Sequence, residues 1–189
     1  DTGLGELVVP IERVGLYVPG GTATYPSTVI MTAVTARVAG VKELVMCSPA
    51  RGADGLPPAV AAAAHIAGVD RVFRIGGAQA IAAMAYGTAS VPPVDMVCGP
   101  GNTFVTLAKQ QLYGQVGIDG LYGPTETVVI ADETANATLC AADLLAQAEH
   151  DPDARAIVLT PDRALAEQIA VEVQSRLPTD GPARTSIRR

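Results

Sequence analysis

Short, continuous apolar segments alternate along this chain with alanine-rich helical segments, and this alternation restricts the possible folds more than any other feature. The segments at 43–47, 94–98 and 127–131 read ELVMC, VDMVC and TVVIA. Apolar runs of this length are typical of parallel strands buried on both faces, with helices as the crossover connections. We therefore predict an α/β fold with open, parallel, Rossmann-like sheets and helices on both faces.

A loop at residues 121–126 interrupts this alternation. Gly120, Gly123 and Pro124 lie close together there, and no helical stretch separates the loop from the next apolar segment. We therefore place a domain boundary in this loop. The second domain should be incomplete, because two strands and two helices cannot cover both faces of a sheet. The three predicted parts are an N-terminal extension at 1–16, a near-complete nucleotide-binding α/β domain at 17–126 and the first part of a second α/β domain at 127–189.

Charge and composition exclude several classes of function. The net charge is −6 with scattered Lys and Arg, which argues against a nucleic-acid surface. No apolar run approaches the ~20 residues that cross a bilayer, and three widely spaced cysteines do not form a disulfide framework. We expect a cytoplasmic protein that binds neither nucleic acid nor membrane. The chain begins at Asp1 rather than Met and ends in GPARTSIRR after a helical stretch, so we also expect a fragment.

Three glycine-containing loops follow predicted strands, and each carries a polar side chain. They are YVPGG from Tyr17, GGAQ up to Gln79 and GPGN up to Asn102. In open α/β sheets, ligands bind beyond the carboxyl ends of the strands, where helix N-termini attract anions such as a pyrophosphate. Taken singly, turn and cap chemistry explains each loop better, and none has the G-x-G-x-x-G pattern. Together the three loops would line one rim.

A second candidate site lies at the end of the helix predicted at 137–150. Gln147 and His150 are three residues apart and would share a helix face. An amide oxygen and an imidazole aimed at one point form half of a divalent metal site. Spacing alone favours an ordinary surface helix end, where histidine interacts well with the helix dipole, and leaves the metal site as the alternative.

The ordered motifs YVPGG, GGAQA, GPGN, GPTE and LLAQAEHD resemble the histidinol dehydrogenase family over nearly the whole chain. The family oxidises the amino alcohol L-histidinol through the aldehyde to L-histidine, with two NAD and a zinc ion, as a cytoplasmic homodimer. The resemblance implies NAD contacts from Tyr17, Gln79 and Asn102. It implies that Gln147 and His150 bind zinc and substrate. It also implies that Thr125 binds substrate, where the family has a serine.

The resemblance leaves two questions open. The family's catalytic Glu-His pair and its other two zinc ligands lie beyond the position of Arg189, so no catalytic residue is assigned and the chain alone should lack useful dehydrogenase activity. Leu121 and Tyr122 replace a typical Pro-Ala, and Thr125 adds a methyl group. The alternatives are therefore a related dehydrogenase of another small alcohol and a non-enzymatic nucleotide-binding or dimerisation module.

Overall fold

A computed structural model describes residues 3–20, 24–50, 55–179 and 181–187. The chain divides between Gly123 and Pro124 into two compact units. The elements of the first unit are β1 (Arg13–Tyr17), α1 (Pro26–Val38), β2 (Glu43–Cys47), α2 (Pro58–Ile66), β3 (Arg71–Phe73), α3 (Ala78–Tyr86), β4 (Met96–Cys98), α4 (Thr103–Leu112) and β5 (Gly117–Ile118). Those of the second are β6 (Glu126–Ile130), α5 (Ala137–Ala148), β7 (Arg155–Leu159), α6 (Arg163–Arg176) and α7 (Pro182–Ile187).

The first unit is built on a five-stranded sheet in the order β3-β2-β1-β4-β5. All neighbouring strands are parallel. The chain runs outward from β1 to β3 and then returns to place β4 on the other side of β1, so the direction of winding switches between β1 and β4. The predicted open, parallel α/β sheet is confirmed, and its switch point is the usual position of a ligand crevice.

Both faces of this sheet are covered by helices, as its short apolar strands require. In the central strand β1, Leu16 packs on one face of the sheet in a core shared with α1 and α2. Tyr17 packs on the other face in a core shared with α3 and α4. Gly15 is also in β1, and a Cβ there would lie 2.7 Å from the sulfur of Met84. The glycine therefore allows α3 to pack closely on the sheet.

The second unit contains the parallel pair β6 and β7 with three helices. Helices α5, α6 and α7 share a core with alternate residues of the strands, such as Val129 and Val158. The opposite face of the two strands carries four exposed apolar side chains, namely Val128, Ile130, Ile157 and Leu159, beside the exposed ion pair of Glu126 and Arg155. This pair of strands is therefore packed by helices on one face.

The structure differs from the sequence-based elements at several boundaries. Helix α5 ends at Ala148, and His150 lies in the following turn rather than in the helix. Strand β1 begins at Arg13, within the segment assigned to the N-terminal extension. The elements β5 and α7 were not predicted, because two and six residues are too short for a periodic pattern. The division into domains at 126/127 stays a prediction.

Among the described residues, no helix is long and apolar enough to cross a membrane.

Candidate functional site

The three glycine-containing loops follow β1, β3 and β4 and therefore lie at the same, carboxyl edge of one parallel sheet. We call this edge the carboxyl rim, formed by Tyr17, residues 76–79 and residues 99–102. Two of its loops flank the switch point between β1 and β4. The sheet topology thus brings together the positions that the sequence predicts to bind NAD.

Tyr17 connects two loops of the rim. Its side chain is buried, and its hydroxyl oxygen accepts a hydrogen bond of 2.9 Å from the backbone N–H of Gly77. Gly77 has a φ of +75°, a backbone conformation that favours glycine. The exposed Gln79 follows in the first turn of α3. The phenol thus holds the start of α3 against β1, while its hydroxyl hydrogen can still be donated.

Pro49, two residues after the end of β2, explains two glycines of these loops by packing alone. A Cβ on Gly20 would lie 2.9 Å from the Cγ of Pro49, and a Cβ on Gly76 would lie 2.6 Å from its Cβ. Both loops therefore pack on the proline ring too closely for a side chain. No periodic pattern or motif along the chain indicated this contact.

Asn102 is the N-cap of α4. Its Oδ1 accepts a hydrogen bond of 3.1 Å from the N–H of Val105, which satisfies one of the unpaired donors at the helix start. Its side-chain nitrogen has no hydrogen-bond partner among the residues that the structure describes. A Cβ on Gly101 would lie 2.4 Å from a methyl carbon of Val105. The loop is thus closely packed at this end, and one amide donor faces outward.

A buried ion pair holds the other end of the same loop, and sequence reasoning missed it. Lys109 of α4 is 2% exposed, and its ammonium contacts the carboxylate of Asp119 and donates to the carbonyl oxygen of Gly99 at 2.9 Å. The Asp119 carboxylate accepts a hydrogen bond of 2.7 Å from the N–H of Gly99. The available signal was a lysine on the same helix face as Val105 and Leu112, where an apolar residue is normal.

Tyr122 covers this ion pair. Its ring centroid lies 5.4 Å from the ammonium nitrogen of Lys109, and its hydroxyl donates to the carbonyl oxygen of Asp119 at 3.3 Å. The Asp119 carboxylate, followed by burial, raises the pKa of the phenol. These contacts give Tyr122 a structural role, so the large aromatic residue at this position does not require that the protein act on a different alcohol.

The thiols of Cys47 and Cys98 should react slowly in the folded chain. Burial raises the pKa of Cys47 to about 12, and burial together with the Asp119 carboxylate raises that of Cys98 to about 11. At pH 8 roughly one Cys98 in a thousand is then a thiolate. Mass spectrometry after iodoacetamide treatment at pH 8 should show labelling slower than in urea by about 100-fold for Cys98 and about 1,000-fold for Cys47.

The same shifts fix the sign of the pH dependence. Because the folded-state pKa values lie above the ordinary 9.0, the contribution of these thiols to stability is fully present below about pH 9 and is lost as the pH rises toward 11 and 12. Native labelling of Cys98 at pH 8 as fast as in urea would contradict this account.

The second unit carries the predicted substrate and metal residues at one end. Gln147 lies in the last turn of α5, and its Oε1 accepts a hydrogen bond of 2.8 Å from the hydroxyl of Thr127 in β6. The exposed His150 follows, and its backbone N–H donates to the backbone carbonyl oxygen of Gln147 at 3.2 Å. Thr125 is exposed just before β6, and its carbonyl oxygen accepts from the N–H of Arg155 at 3.1 Å.

These residues lie at the amino edge of β6 and β7, not at the carboxyl edge that the general rule for open sheets favours. The reason is local, because α5 follows β6 and returns antiparallel to it, so the end of the helix lies beside the start of the strand. Thr127 had not been singled out in the sequence. Its position two residues after Thr125, on the same strand face, was the available signal.

Gln147 and His150 fit a zinc site as two of its donors. The amide oxygen keeps a second lone pair beside the one that Thr127 occupies, and the imidazole is exposed. Structural and catalytic zinc sites take three or four protein ligands. The described residues contain no group of three or more His, Cys, Asp and Glu side chains that could hold a metal. This part of the chain therefore offers half of a tetrahedral set.

The first unit is thus an open, doubly wound α/β protein, with glycine loops at its switch point. The model of the histidinol dehydrogenase family matches residues 1–188. The chain therefore belongs to the histidinol dehydrogenase family, and the resemblance carried by the motifs is confirmed.

Individual relatives agree with this assignment. The chain is 59% identical over 181 residues to histidinol dehydrogenase from Parasynechococcus marenigrum, covering 96% of this chain and 41% of the relative. It is 54% identical over 188 residues to histidinol dehydrogenase from Bacillus cereus, covering 98% and 44%. The chain thus spans less than half the length of these relatives.

Solved structures give the same result. The crystal structure of histidinol dehydrogenase from Elizabethkingia anophelis aligns with a TM-score of 0.89 at 40% identity, covering 94% of this chain and 41% of that one. An acetylating aldehyde dehydrogenase from Geobacillus thermoglucosidasius aligns with a TM-score of 0.56 at 18% identity. The second likeness concerns the fold alone.

Proposed function

We propose that this chain is the dinucleotide-binding part of an NAD- and zinc-dependent histidinol dehydrogenase, which oxidises L-histidinol to L-histidine in histidine biosynthesis. Membership of the family over residues 1–188 carries the proposal. The chain matches 41–44% of the length of the relatives above, so the activity is proposed for the protein in the full length that its gene encodes. We also propose that this protein is a cytoplasmic homodimer.

In this proposal the carboxyl rim binds NAD. The outward amide of Asn102, the hydroxyl hydrogen of Tyr17 and the side chain of Gln79 supply hydrogen bonds. The free N–H groups in the first turn of α4 favour the negative pyrophosphate. Two of these side chains also accept hydrogen bonds from the backbone of the chain, Tyr17 from Gly77 and Asn102 from Val105. Their positions are therefore set before the cofactor arrives, which lowers the entropy cost of binding.

The second unit would bind metal and substrate. Gln147 and His150 hold the zinc ion, and the hydroxyl of Thr127 fixes which side of the Gln147 amide presents its oxygen. A bound zinc ion orients and polarises the oxygen of an alcohol substrate. The exposed hydroxyl of Thr125 is available to hydrogen-bond the amino alcohol. The base that removes the hydroxyl proton is not assigned to any residue of this chain.

Turnover of L-histidinol tests the proposal. The gene-length protein and the 189-residue chain would be purified, and NADH formation would be followed with and without a zinc chelator. We expect chelator-sensitive NADH formation by the gene-length protein and none by the 189-residue chain. NAD binding without turnover by the gene-length protein would support a nucleotide-binding module instead. Turnover of another amino alcohol in place of histidinol would support the related dehydrogenase.

A further inference from the structure

The strongest unassigned feature of the first unit is the cluster formed beside the loop at residues 99–102 by the buried Lys109, its ion-pair partner Asp119 and the half-exposed Tyr122. Lys109 is among the largest fully buried side chains. Burying a lysine is costly unless it is paired and hydrogen-bonded, and this one has both an ion-pair partner and a carbonyl acceptor. A charge buried at such cost at a ligand rim requires an explanation beyond helix packing, since an apolar side chain would pack as well.

The hydrogen bonds of the cluster converge on one residue, Gly99. Its carbonyl oxygen accepts from the Lys109 ammonium, and its N–H donates to the Asp119 carboxylate. The same carboxylate accepts a hydrogen bond of 2.9 Å from the backbone N–H of Gly120. Both backbone polar groups of Gly99 are therefore fixed by the two members of one ion pair, which sets the orientation of both peptide groups that flank this residue.

Gly99 is three residues before Asn102, and the loop between them borders the switch point. The cap from Asn102 to Val105 fixes the far end of the loop, and the ion pair fixes the near end. The outward amide of Asn102 and the first turn of α4 can therefore take only a narrow range of positions. Such preorganisation improves affinity, because less conformational entropy of the loop is lost when the ligand binds.

We infer that Lys109 and Asp119 are positioning residues for the dinucleotide: their ion pair holds the loop at residues 99–102 in the geometry that receives NAD. Neither side chain needs to touch the cofactor, because they act through Gly99. The ring of Tyr122 lies against the Lys109 ammonium, and its hydroxyl donates to the backbone carbonyl oxygen of Asp119. The inference rests on the proposed function, since it takes NAD as the ligand of the rim.

The test compares Lys109→Met with the double variant Lys109→Met/Asp119→Asn in the gene-length protein. The single variant leaves a buried carboxylate without its cation and should lose thermal stability. The double variant removes both charges and should regain most of that stability. Its NAD dissociation constant and its KM for NAD should nevertheless rise about tenfold, because the Gly99 carbonyl has lost its donor. kcat and the KM for histidinol should stay near the wild-type values.

Lys42→Met is the matched control, because Lys42 forms an ion pair with Glu12 at 3.9 Å on the surface of the same unit, where both side chains are mostly exposed. It should change neither stability nor NAD affinity. A double variant that regains stability and binds NAD as the wild type does would overturn the inference and leave the pair a purely structural role. If the wild type itself does not bind NAD, the proposed function fails and this inference fails with it, whereas unchanged NAD binding by the stable double variant beside a wild type that binds NAD overturns the inference alone.

Tyr122→Leu keeps the inference testable should the double variant not fold. The tyrosine is half-exposed, so its replacement does not disturb the core. Loss of the ring and hydroxyl above the ion pair should weaken NAD binding about two- to threefold at unchanged kcat. Wild-type NAD affinity in this variant, with the double variant unfolded, would overturn the inference.

Discussion

Replacement of Gly99 by alanine is expected to lower the free energy of unfolding of the first unit by about 4 kcal/mol. Gly99 has a φ of +116°, which a side chain disfavours, and a Cβ there would lie 2.0 Å from the carbonyl oxygen of Tyr17. That oxygen belongs to the backbone of the central strand and cannot move aside as a flexible side chain could. Both the conformational strain and the steric overlap therefore act together.

Gly114→Ala is the matched control for the first of these two effects. Gly114 has a φ of +91°, but nothing lies within 4 Å of the position that its Cβ would take. This variant should lose only about 1 kcal/mol, the cost of the left-handed backbone. Urea unfolding followed by circular dichroism measures both. Equal losses in the two variants would show that the close approach of Gly99 to Tyr17 does not exist in solution.

Replacement of His150 or Gln147 by alanine is expected to remove zinc and reduce histidinol turnover by at least about 100-fold in the gene-length protein. Loss of residues that merely support metal ligands costs 10- to 100-fold, so loss of a ligand should cost more. Thr127→Val should give the smaller effect, about tenfold in zinc affinity, because the Gln147 amide would keep its place but lose the hydrogen bond that orients it.

His65→Ala is the control for this series. The chain has two histidines, and His65 is exposed on α2 in the first unit. Its removal should leave zinc content and turnover unchanged. Zinc content would be measured by atomic emission on protein dialysed against metal-free buffer. Wild-type zinc content in the His150 variant would exclude this histidine as a ligand.

The helices and strands that border the site were largely readable from the sequence. The run ELVMC formed β2 at the predicted residues, and α3 spans the predicted 78–86. Local patterns were sufficient for these two elements. A short apolar run indicates the buried strand β2, and Gly77 and Gly87 mark the two ends of α3. The end of α5 was placed two residues too late, because nothing in the local sequence distinguishes the last helical turn from the turn that follows it.

The polar residues of the rim could be recognised along the chain, but the groups that hold them could not. Tyr17, Gln79 and Asn102 stood beside glycines, and that pattern is visible along the chain. The bond from Gly77 to Tyr17 joins residues 60 positions apart, and no local pattern encodes it. Similarly, Asp119 had no recognisable neighbour until the structure placed it against Lys109 and Gly99.

The fold class and the family could be read from local patterns, because burial periodicity and ordered motifs are properties of the chain read in order. The return of β4 beside β1, which brings the loops together at one rim, and the buried ion pair that holds one of these loops became apparent only in the folded protein. These features depend on contacts between residues far apart in sequence, and such contacts exist only once the packing of the sheet and helices brings them together.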